Sequence, residues 1–286
     1  MAMPDERPQM LNDLYLFACG TQFRECLADF AALSGPLPMP PQSALGNMYS
    51  HYQAYSADDV LDIVRNYSAL GLPLSHVNLD VDWHRRITDG QRCQGYNGYA
   101  WNNSLFPDPT AFLNTLQRQH GLRVGVNTHA FIGVDSCNAP SSCYQAVANA
   151  TGQAPGLLVP YNLSNLAQQR AVFSACLAPI GADYIWTDGG LVRWVGRGDA
   201  GPWNLFFDTH LHDTAMAARG ARPIVMPRFS GLGQHRYPVG FSGDADSTWT
   251  TLQAEVRRRR KKGKGMKEKR KKEEEEGKKE RERRRG

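Results

Sequence analysis

The sequence contains no run of apolar residues long enough to span a bilayer, which excludes a transmembrane helix within these 286 residues. Its six cysteines lack the closely spaced pairs of a zinc site, so they give no support to a cysteine–zinc centre. The N-terminus has no basic segment followed by an apolar one, and no signal peptide is therefore recognisable. The localisation stays open at the level of the sequence.

Two features bear on disulfides and glycosylation. Cys137 and Cys143 flank the segment Asn-Ala-Pro-Ser-Ser in a predicted loop, and they could close a small disulfide ring. Four Asn-x-Ser/Thr sequons, the acceptor sequences for N-glycosylation, are also present. They begin at Asn66, Asn102, Asn149 and Asn162. Because sequons often arise by chance, they only favour a secretory compartment.

Charge is divided unevenly along the chain. Residues 257–286 contain 18 Lys/Arg and 7 Asp/Glu, whereas residues 1–256 contain 15 Lys/Arg and 21 Asp/Glu. The tail therefore carries a net charge of +11 and the rest of the chain −6. No aromatic residues in the tail could stack on bases, so we expect a solvated, disordered or helical segment without nucleic-acid binding. A basic-tailed interaction protein is the alternative interpretation of this segment.

From Ser43 onwards, predicted strands alternate with predicted helices. The predicted strands are Ala44–Tyr49, His76–Val81, Leu122–Asn127, Asp183–Thr187, Pro223–Pro227 and Val239–Ser242. Repeated strand–helix units form parallel sheets with helices outside, so we predict an α/β fold. A (β/α)8 TIM-type barrel fits best, incomplete at about six units. The predicted organisation is an N-terminal remnant and linker (residues 1–42), a partial barrel catalytic domain (43–256) and a low-complexity tail (257–286).

Several helix boundaries carry local signals. Ser56 is a predicted N-cap followed by acidic residues, and Asp108-Pro109 supplies a cap and a first-turn proline. Further helices are predicted over residues 23–33, 165–177 and 203–219, and a last helix opens at Ser247. The segment from Thr128 to Tyr161 is predicted as a long loop, a length typical of functional or disordered segments.

Two aspartates follow predicted strands in the same way. Asp188 comes directly after Asp183–Thr187, and Asp244 ends Phe241-Ser-Gly-Asp. Such positions open onto the catalytic face of a parallel barrel, although a lone aspartate there can also cap a turn. Glycosidic cleavage needs two carboxyl groups, one attacking carbon as an anion and one delivering a proton. Arg228 could hold a hydroxyl or help to keep a carboxylate ionised, and aromatic residues near these loops could contact sugar rings. These aromatic residues are Trp83, Trp101, Trp186, Phe241 and Trp249.

An ordered series of motifs adds a family resemblance. In chain order these include Leu79-Asp-Val-Asp-Trp-His84, Leu105-Phe-Pro-Asp-Pro109, Ile185-Trp-Thr-Asp188, His235-Arg-Tyr-Pro238 and Phe241-Ser-Gly-Asp244. With them the chain resembles glycoside hydrolase family 31, the α-glucosidase and α-xylosidase group. The resemblance runs from about Asp13 to Leu252, nearly everything except the tail.

The resemblance implies a role for each matching residue. Asp188 matches the catalytic nucleophile, and Asp244 matches the general acid/base. Substrate-binding roles are implied for Asp80, Trp186, Arg228 and Phe241. The implied reaction is retaining hydrolysis of a carbohydrate substrate, an α-glycoside and first of all an α-glucoside, through a covalent glycosyl-enzyme and without a metal or organic cofactor. The sequence does not distinguish α-glucose from α-xylose, α-galactose or sulfated sugars.

Other polar residues receive structural interpretations. Asp82 is interpreted as an ion-pair or capping residue. His84, His129 and His235 have a spacing that fits no metal-ligand cluster. Gly189-Gly190 departs from the family pattern after the nucleophile, so contacts from these positions are not carried over.

The resemblance further implies that the last two barrel strands and the family's C-terminal β-domains are missing from this chain. An open barrel exposes strand edges and apolar surface. We therefore expect the chain as written to be unstable or poorly active. The alternative function is a truncated, catalytically impaired fragment that binds sugar weakly at most.

Overall fold

The computed structural model describes residues 15–36, 39–88, 93, 95–129, 132–154, 156, 158–160, 165–188, 222, 224–228, 239–241 and 243–253. The predicted helix over residues 203–219, the charged tail and His235 lie outside the described residues. The chain divides into two compact units, Met1–Phe241 and Ser242–Gly286. No described helix is long and apolar enough to cross a membrane.

The first unit is built on a sheet of five parallel strands. They are β1 (Met48–Ser50), β2 (His76–Leu79), β3 (Arg123–Thr128), β4 (Tyr184–Thr187) and β5 (Met226–Pro227). Each strand pairs with the next one in chain order. Parallel neighbours joined by helical crossovers are the pattern of a (β/α)8 barrel, so the predicted fold class is confirmed, with five strands of the barrel described.

Alternate residues along the strands point to opposite sides of the sheet, which gives the sheet two different faces. One face is aliphatic and shares a core cluster with the helices; its members include Val77, Val124, Val126, Ile185 and Val225. The other face, called here the interior face, is buried but more polar and aromatic. It carries His76, Asn78, Asn127, Tyr184, Trp186 and Met226.

Helices pack on the aliphatic face of this sheet and share its core cluster. In the first unit the described α-helices are α1 (Phe23–Ser34), α2 (Ala57–Ala69), α3 (Pro109–Asn114), α4 (Ser141–Thr151) and α5 (Leu166–Ala171). Helix α3 continues as a π-helical turn over Thr115–Gln119. Helix α5 continues in the same way over Val172–Leu177 and ends in a 3-10 turn over Ala178–Ile180. Short 3-10 turns also precede β1 (Gln42–Leu45) and follow β2 (Val81–Trp83).

The predicted helix caps are confirmed. The Ser56 hydroxyl accepts a hydrogen bond from the Asp59 backbone N–H, and the Asp59 carboxylate accepts one from the Ser56 N–H, which completes a capping box. Asp108 caps α3 by accepting from the N–H of Ala111 at 2.9 Å, with Pro109 in the first turn. These ends are local, so the sequence was sufficient to locate them.

Several predicted strand boundaries differ from the structure, and one predicted loop is wrong. The first strand begins at Met48 and not at Ala44, because Gln42–Leu45 form a 3-10 turn. The predicted loop from Thr128 to Tyr161 contains the whole of α4. Its helical spacing was present in the sequence, since Tyr144, Val147 and Ala148 form a buried side.

The predicted sixth strand is not a strand over its described residues, 239–241. Phe241 nevertheless continues the pairing beyond β5, because its N–H donates to the carbonyl oxygen of Pro227 at 3.0 Å. This hydrogen bond holds Phe241 next to the end of β5.

All six cysteines form disulfides, and the predicted ring between Cys137 and Cys143 is wrong. The pairs are Cys19–Cys26, Cys93–Cys137 and Cys143–Cys176. Cys143 lies on the buried side of α4, which packs against the π-helical continuation of α5 that carries Cys176. The partner of Cys143 therefore comes from a packed helix and not from the adjacent loop.

The described part of the second unit contains the beginning of a helix. Residues 249–253 are helical, and the Thr248 hydroxyl accepts a hydrogen bond from the Thr251 N–H at 3.1 Å, as an N-cap does. The predicted opening at Ser247 is thus one residue early. Asp244 precedes this turn and is exposed.

A buried polar cluster on the interior face leaves no room for a side chain at Gly125. His76 Nδ1 lies 3.2 Å from the Tyr184 hydroxyl, which in turn donates to Asn78 Oδ1. Gly125 is the register partner of Tyr184. A Cβ at Gly125 would lie 2.6 Å from Asn78 Oδ1 and closer still to the Tyr184 ring.

Gly125→Ala should therefore lower the free energy of unfolding by about 1–3 kcal/mol, the usual cost of overpacking a core. Gly240→Ala is the matched control, because a Cβ at Gly240 meets no atom within 4 Å. Urea unfolding of both variants measures the difference, and an equal loss in the two would contradict this account of Gly125.

His84 is fully buried after the 3-10 turn Val81–Trp83. Its Nδ1 lies 2.9 Å from the carbonyl oxygen of Arg85, so this nitrogen carries the proton of the neutral ring. Burial lowers the pKa of His84 to about 4, because desolvation disfavours the charged imidazolium.

This burial predicts a loss of stability in mild acid. An unfolded histidine takes up a proton below about pH 6.5, whereas folded His84 does so only near pH 4, so stability falls between these values and levels off below. The contribution of His84 is on the order of 3 kcal/mol. His84→Asn should flatten the pH dependence of urea unfolding over this range, and His120→Asn, the same substitution at an exposed position, serves as the control. Parallel pH curves for His84→Asn and the unmodified chain would contradict the assignment.

Candidate active site

The carboxyl ends of β3, β4 and β5 meet at one edge of the sheet. The backbone pairing continues one residue past β4, where the Asp188 N–H donates to the Thr128 carbonyl oxygen at 3.0 Å. It also continues past β5, where the Arg228 N–H donates to the Thr187 carbonyl oxygen at 2.9 Å. These two hydrogen bonds fix Asp188 and Arg228 as neighbours at the end of the sheet.

The Asp188 carboxylate is buried between two donors. Its Oδ1 accepts a hydrogen bond from Arg228 Nη1 at 2.8 Å, and its Oδ2 accepts one from Asn127 Nδ2 at 3.1 Å. Asp188 is only 6% exposed, so an ionised carboxylate depends on such partners to replace water. The contact with Arg228 is a charge-assisted hydrogen bond, the stronger kind.

Asn127 received no role from the sequence, yet it contacts the central carboxylate. It is 1% exposed at the end of β3, and its main-chain carbonyl oxygen accepts a hydrogen bond from Trp83 Nε1 at 2.6 Å. Trp83 is thus a buried support for Asn127, where the sequence suggested a surface for sugar rings. The signal that could have identified Asn127 is its place as a polar residue at the carboxyl end of a predicted strand.

Two aromatic rings lie beside the ion pair. The centroids of Trp186 and Phe241 are 4.9 Å apart, and the rings meet edge to face at 81°. The Arg228 guanidinium carbon lies 5.8 Å from the Phe241 centroid. Trp186 Nε1 is buried and has no hydrogen-bond partner among the described residues. This part of the site therefore contains an N–H donor that no described residue uses.

Strand β2 adds two acidic residues to the same edge of the sheet. Asp80 directly follows β2, is half-buried, and accepts a hydrogen bond from the Val81 N–H at 2.7 Å. Asp82 forms an ion pair with Arg86 at 2.8 Å, so its structural interpretation is confirmed.

The structure therefore brings together Asp188, Arg228, Trp186 and Phe241 of the residues predicted from the sequence. Asp244 belongs to the second compact unit, and its role with Asp188 stays a prediction. His129 is one of the three histidines for which no metal-binding role was predicted. Its ring stacks on the ring of Tyr96, and the two ring centroids are 5.3 Å apart.

One group of side chains that could ligate a metal ion occurs among the described residues, but its atoms make structural contacts. It consists of Cys93, Asp135 and Cys137. The two sulfurs are joined in a disulfide, and Asp135 Oδ1 accepts hydrogen bonds from the backbone N–H groups of Cys137 and Asn138. These atoms are committed to holding the loop.

A buried carboxylate at the carboxyl end of a parallel strand, with a guanidinium and aromatic rings beside it, occupies the position at which the active sites of parallel barrels are found. The profile of the TIM-barrel domain of glycosyl hydrolases family 31 matches residues 37–260, so the chain belongs to this family. The family predicted from the sequence motifs is therefore confirmed.

Relatives agree with this classification. The chain is 28% identical over 112 residues to alpha-glucosidase 2 of Bacillus thermoamyloliquefaciens, a match covering 39% of the chain and 13% of that enzyme. It is 25% identical over 122 residues to an alpha-glucosidase of Saccharolobus solfataricus, covering 40% of the chain and 16% of that enzyme. The crystal structure of a family 31 alpha-xylosidase from a soil metagenome, complexed with xylose, is similar in fold with a TM-score of 0.60 and 18% identity. That likeness covers 78% of this chain and 35% of the alpha-xylosidase, so the chain spans only a small part of its relatives.

The contact between Asn127 and Asp188 predicts an electrostatic effect. Asn127→Asp places a second carboxyl group beside Asp188, and the repulsion raises the pKa of the pair, so the folded state binds a proton more readily than the unfolded one. Stability should therefore fall by at least about 1.4 kcal/mol at pH 7 and recover as the pH approaches about 4.

Asn127→Ser is the control, because it removes the amide donor without adding charge. Its cost should change little with pH. Chemical unfolding of both variants at pH 7 and pH 4.5 provides the comparison, and the same pH dependence in both would exclude a close approach of residue 127 to Asp188.

Proposed function

We propose that this chain carries the catalytic centre of a retaining α-glycoside hydrolase that acts on the O-glycosidic bonds of α-glucosides. The observation that carries the proposal is the buried Asp188 carboxylate at the end of β4, held by Arg228 and Asn127 next to an aromatic pair. Family membership supports glycosidase chemistry at such a position.

In the first step of the proposed mechanism, an oxygen of Asp188 attacks the anomeric carbon of the sugar. The bond from this carbon to the leaving oxygen breaks, and the protonated carboxyl group of Asp244 delivers its proton to that oxygen. The product is a glycosyl ester of Asp188. The hydrogen bonds from Arg228 and Asn127 hold the Asp188 carboxylate in one orientation for this attack.

In the second step, Asp244 acts as a base. It takes a proton from water as the water oxygen attacks the anomeric carbon, and Asp188 leaves as a carboxylate. Two inversions retain the configuration of the anomeric centre. The chemistry requires the two carboxyl groups to be about 5–5.5 Å apart and needs neither a metal nor an organic cofactor.

Four residues form the proposed sugar-binding surface. Trp186 and Phe241 provide an aromatic corner, and the buried Nε1 of Trp186 is available to donate to a hydroxyl. Asp80, at the end of β2, accepts hydrogen bonds from sugar hydroxyls. Arg228 orients Asp188 and contributes a positive charge next to the reacting sugar.

Two alpha-glucosidases among the relatives support α-glucosides as the substrate class, and the xylose-bound alpha-xylosidase supports carbohydrate binding. The alternative is sugar binding with little or no turnover. It is kept because the matches cover 13% and 16% of the two alpha-glucosidases, so the activity of those whole enzymes is a proposal for this chain.

Trapping the covalent intermediate tests the role of Asp188 even where turnover is slow. Incubation of the full chain with a 5-fluoro-α-glucosyl fluoride should add one sugar, and peptide mass spectrometry should locate it on Asp188. Asp188→Asn should abolish labelling and lower kcat/KM on an aryl α-glucoside by about 10³-fold or more. Asp82→Asn is the matched control at the same sheet edge and should still be labelled.

A label on another carboxylate would overturn the proposal. Sugar binding by calorimetry without any label would support the alternative.

A second experiment tests Asp244 separately. Asp244→Ala should slow hydrolysis by about 10²–10⁴-fold, because it removes the general acid/base. An aryl leaving group needs little protonation, so labelling of Asp188 should persist in this variant. Added azide should then restore turnover and yield an α-glucosyl azide. A product of β configuration, or no azide effect, would contradict the assigned role.

A further inference from the structure

The disulfides point to the compartment in which this chain folds. All six cysteines are paired, with Cα separations of 5.3, 5.9 and 4.8 Å, within the range that disulfides adopt. The Cys143–Cys176 pair is buried inside the contact between α4 and the continuation of α5. Disulfides form and persist in oxidising compartments, which are also the site of N-glycosylation in secreted proteins.

Two sequon asparagines lie on the outer surface of this disulfide-linked unit. Asn66 is exposed in the last turn of α2, on the side away from the buried Val60 and Val64. Asn149 is exposed in the last turn of α4, which turns Tyr144, Val147 and Ala148 towards the core. Neither carboxamide makes a side-chain hydrogen bond to another described residue, so a substituent on Nδ2 displaces no contact of the described fold.

The third described sequon differs. Asn102 is half-buried, and its Oδ1 accepts a hydrogen bond from the Ser104 N–H at 3.2 Å. Its backbone N–H donates to the Trp83 carbonyl oxygen at 2.9 Å, and its carbonyl oxygen accepts from Phe106 at 2.8 Å. The hydrogen bonds of Asn102 thus stabilise the loop after Trp83, whereas the side chains of Asn66 and Asn149 make no such contact with the described residues.

We propose that Asn66 and Asn149 are N-glycosylated in the mature, disulfide-bonded protein and that Asn102 is not. In the transfer, Nδ2 of each asparagine bonds to C1 of a lipid-diphosphate-linked oligosaccharide. The bond from C1 to the phosphate oxygen breaks, the lipid diphosphate leaves, and a basic group of the transferase takes the amide proton. The hydroxyls of Ser68 and Thr151 complete the two sequons.

The test uses the full chain behind a cleavable signal peptide in a secreting eukaryotic cell. Asn162→Gln is included throughout, because Asn162 lies outside the described residues. Treatment with peptide-N-glycosidase in heavy-oxygen water marks every occupied asparagine with a mass change, which peptide mapping locates. Maps without reduction report in the same sample whether Cys143 and Cys176 are joined.

Disulfide-bonded protein should be marked at Asn66 and Asn149 and unmarked at Asn102. Ser68→Ala and Thr151→Ala should each remove one glycan without changing an asparagine. The matched controls Ser68→Thr and Thr151→Ser keep the sequons and should keep the glycans. Retention inside the cell does not prevent the measurement, since glycans sensitive to endoglycosidase H can be mapped in the same way.

An unmarked Asn66 or Asn149 in disulfide-bonded protein would overturn the proposal, as would a marked Asn102. Because the measurement needs no glycosidase activity of the chain, its outcome is independent of the proposed catalytic function.

Discussion

The in-register pairing of β3, β4 and β5 is the constraint on which the candidate site depends. Parallel strands bring their carboxyl ends to one edge, and the period of two puts Asn127, Asp188 and Arg228 on the same face of the sheet. A buried carboxylate is stable only with partners, and Asn127 and Arg228, which hydrogen-bond to Asp188, come from the strands on either side of β4. A slip of one residue in either pairing would turn these donors away, so the register and the buried charge depend on each other.

The two faces of the sheet separate stability from chemistry. The aliphatic face joins the helices in one core and holds the strands in place. The interior face is buried as well, but it carries hydrogen-bonding groups whose partners are specific, such as Tyr184 with Asn78 and Asn127 with Asp188. Residue 125 must be glycine for this face to pack, because the ring of Tyr184 occupies the volume that a side chain would need. The rigid aliphatic layer thus supports a polar layer that can be aimed at a ligand.

Local signals in the sequence were reliable where the physics was local. The capping box at Ser56 and the cap with proline at Asp108 depend on residues within one helical turn, and both were predicted. Helix α4 was not predicted because Pro140 offers no capping side chain, so the sequence has no local signal for the start of the helix. Disulfide partners were also missed, since Cys143 and Cys176 are brought together only by the packing of two helices.

The sequence by itself determined the class of fold, the family and the identity of the strand-end residues Asp188, Arg228, Trp186 and Phe241, because alternation and motif order are written along the chain. It did not determine which donors surround Asp188. That was decided by tertiary structure: the Nδ2 of Asn127 reaches Asp188 Oδ2 only once β3 and β4 are paired, 61 residues apart in the chain. Hydrogen bonds act over about 3 Å, and no pattern of spacing encodes such a distance until the strands have chosen their neighbours.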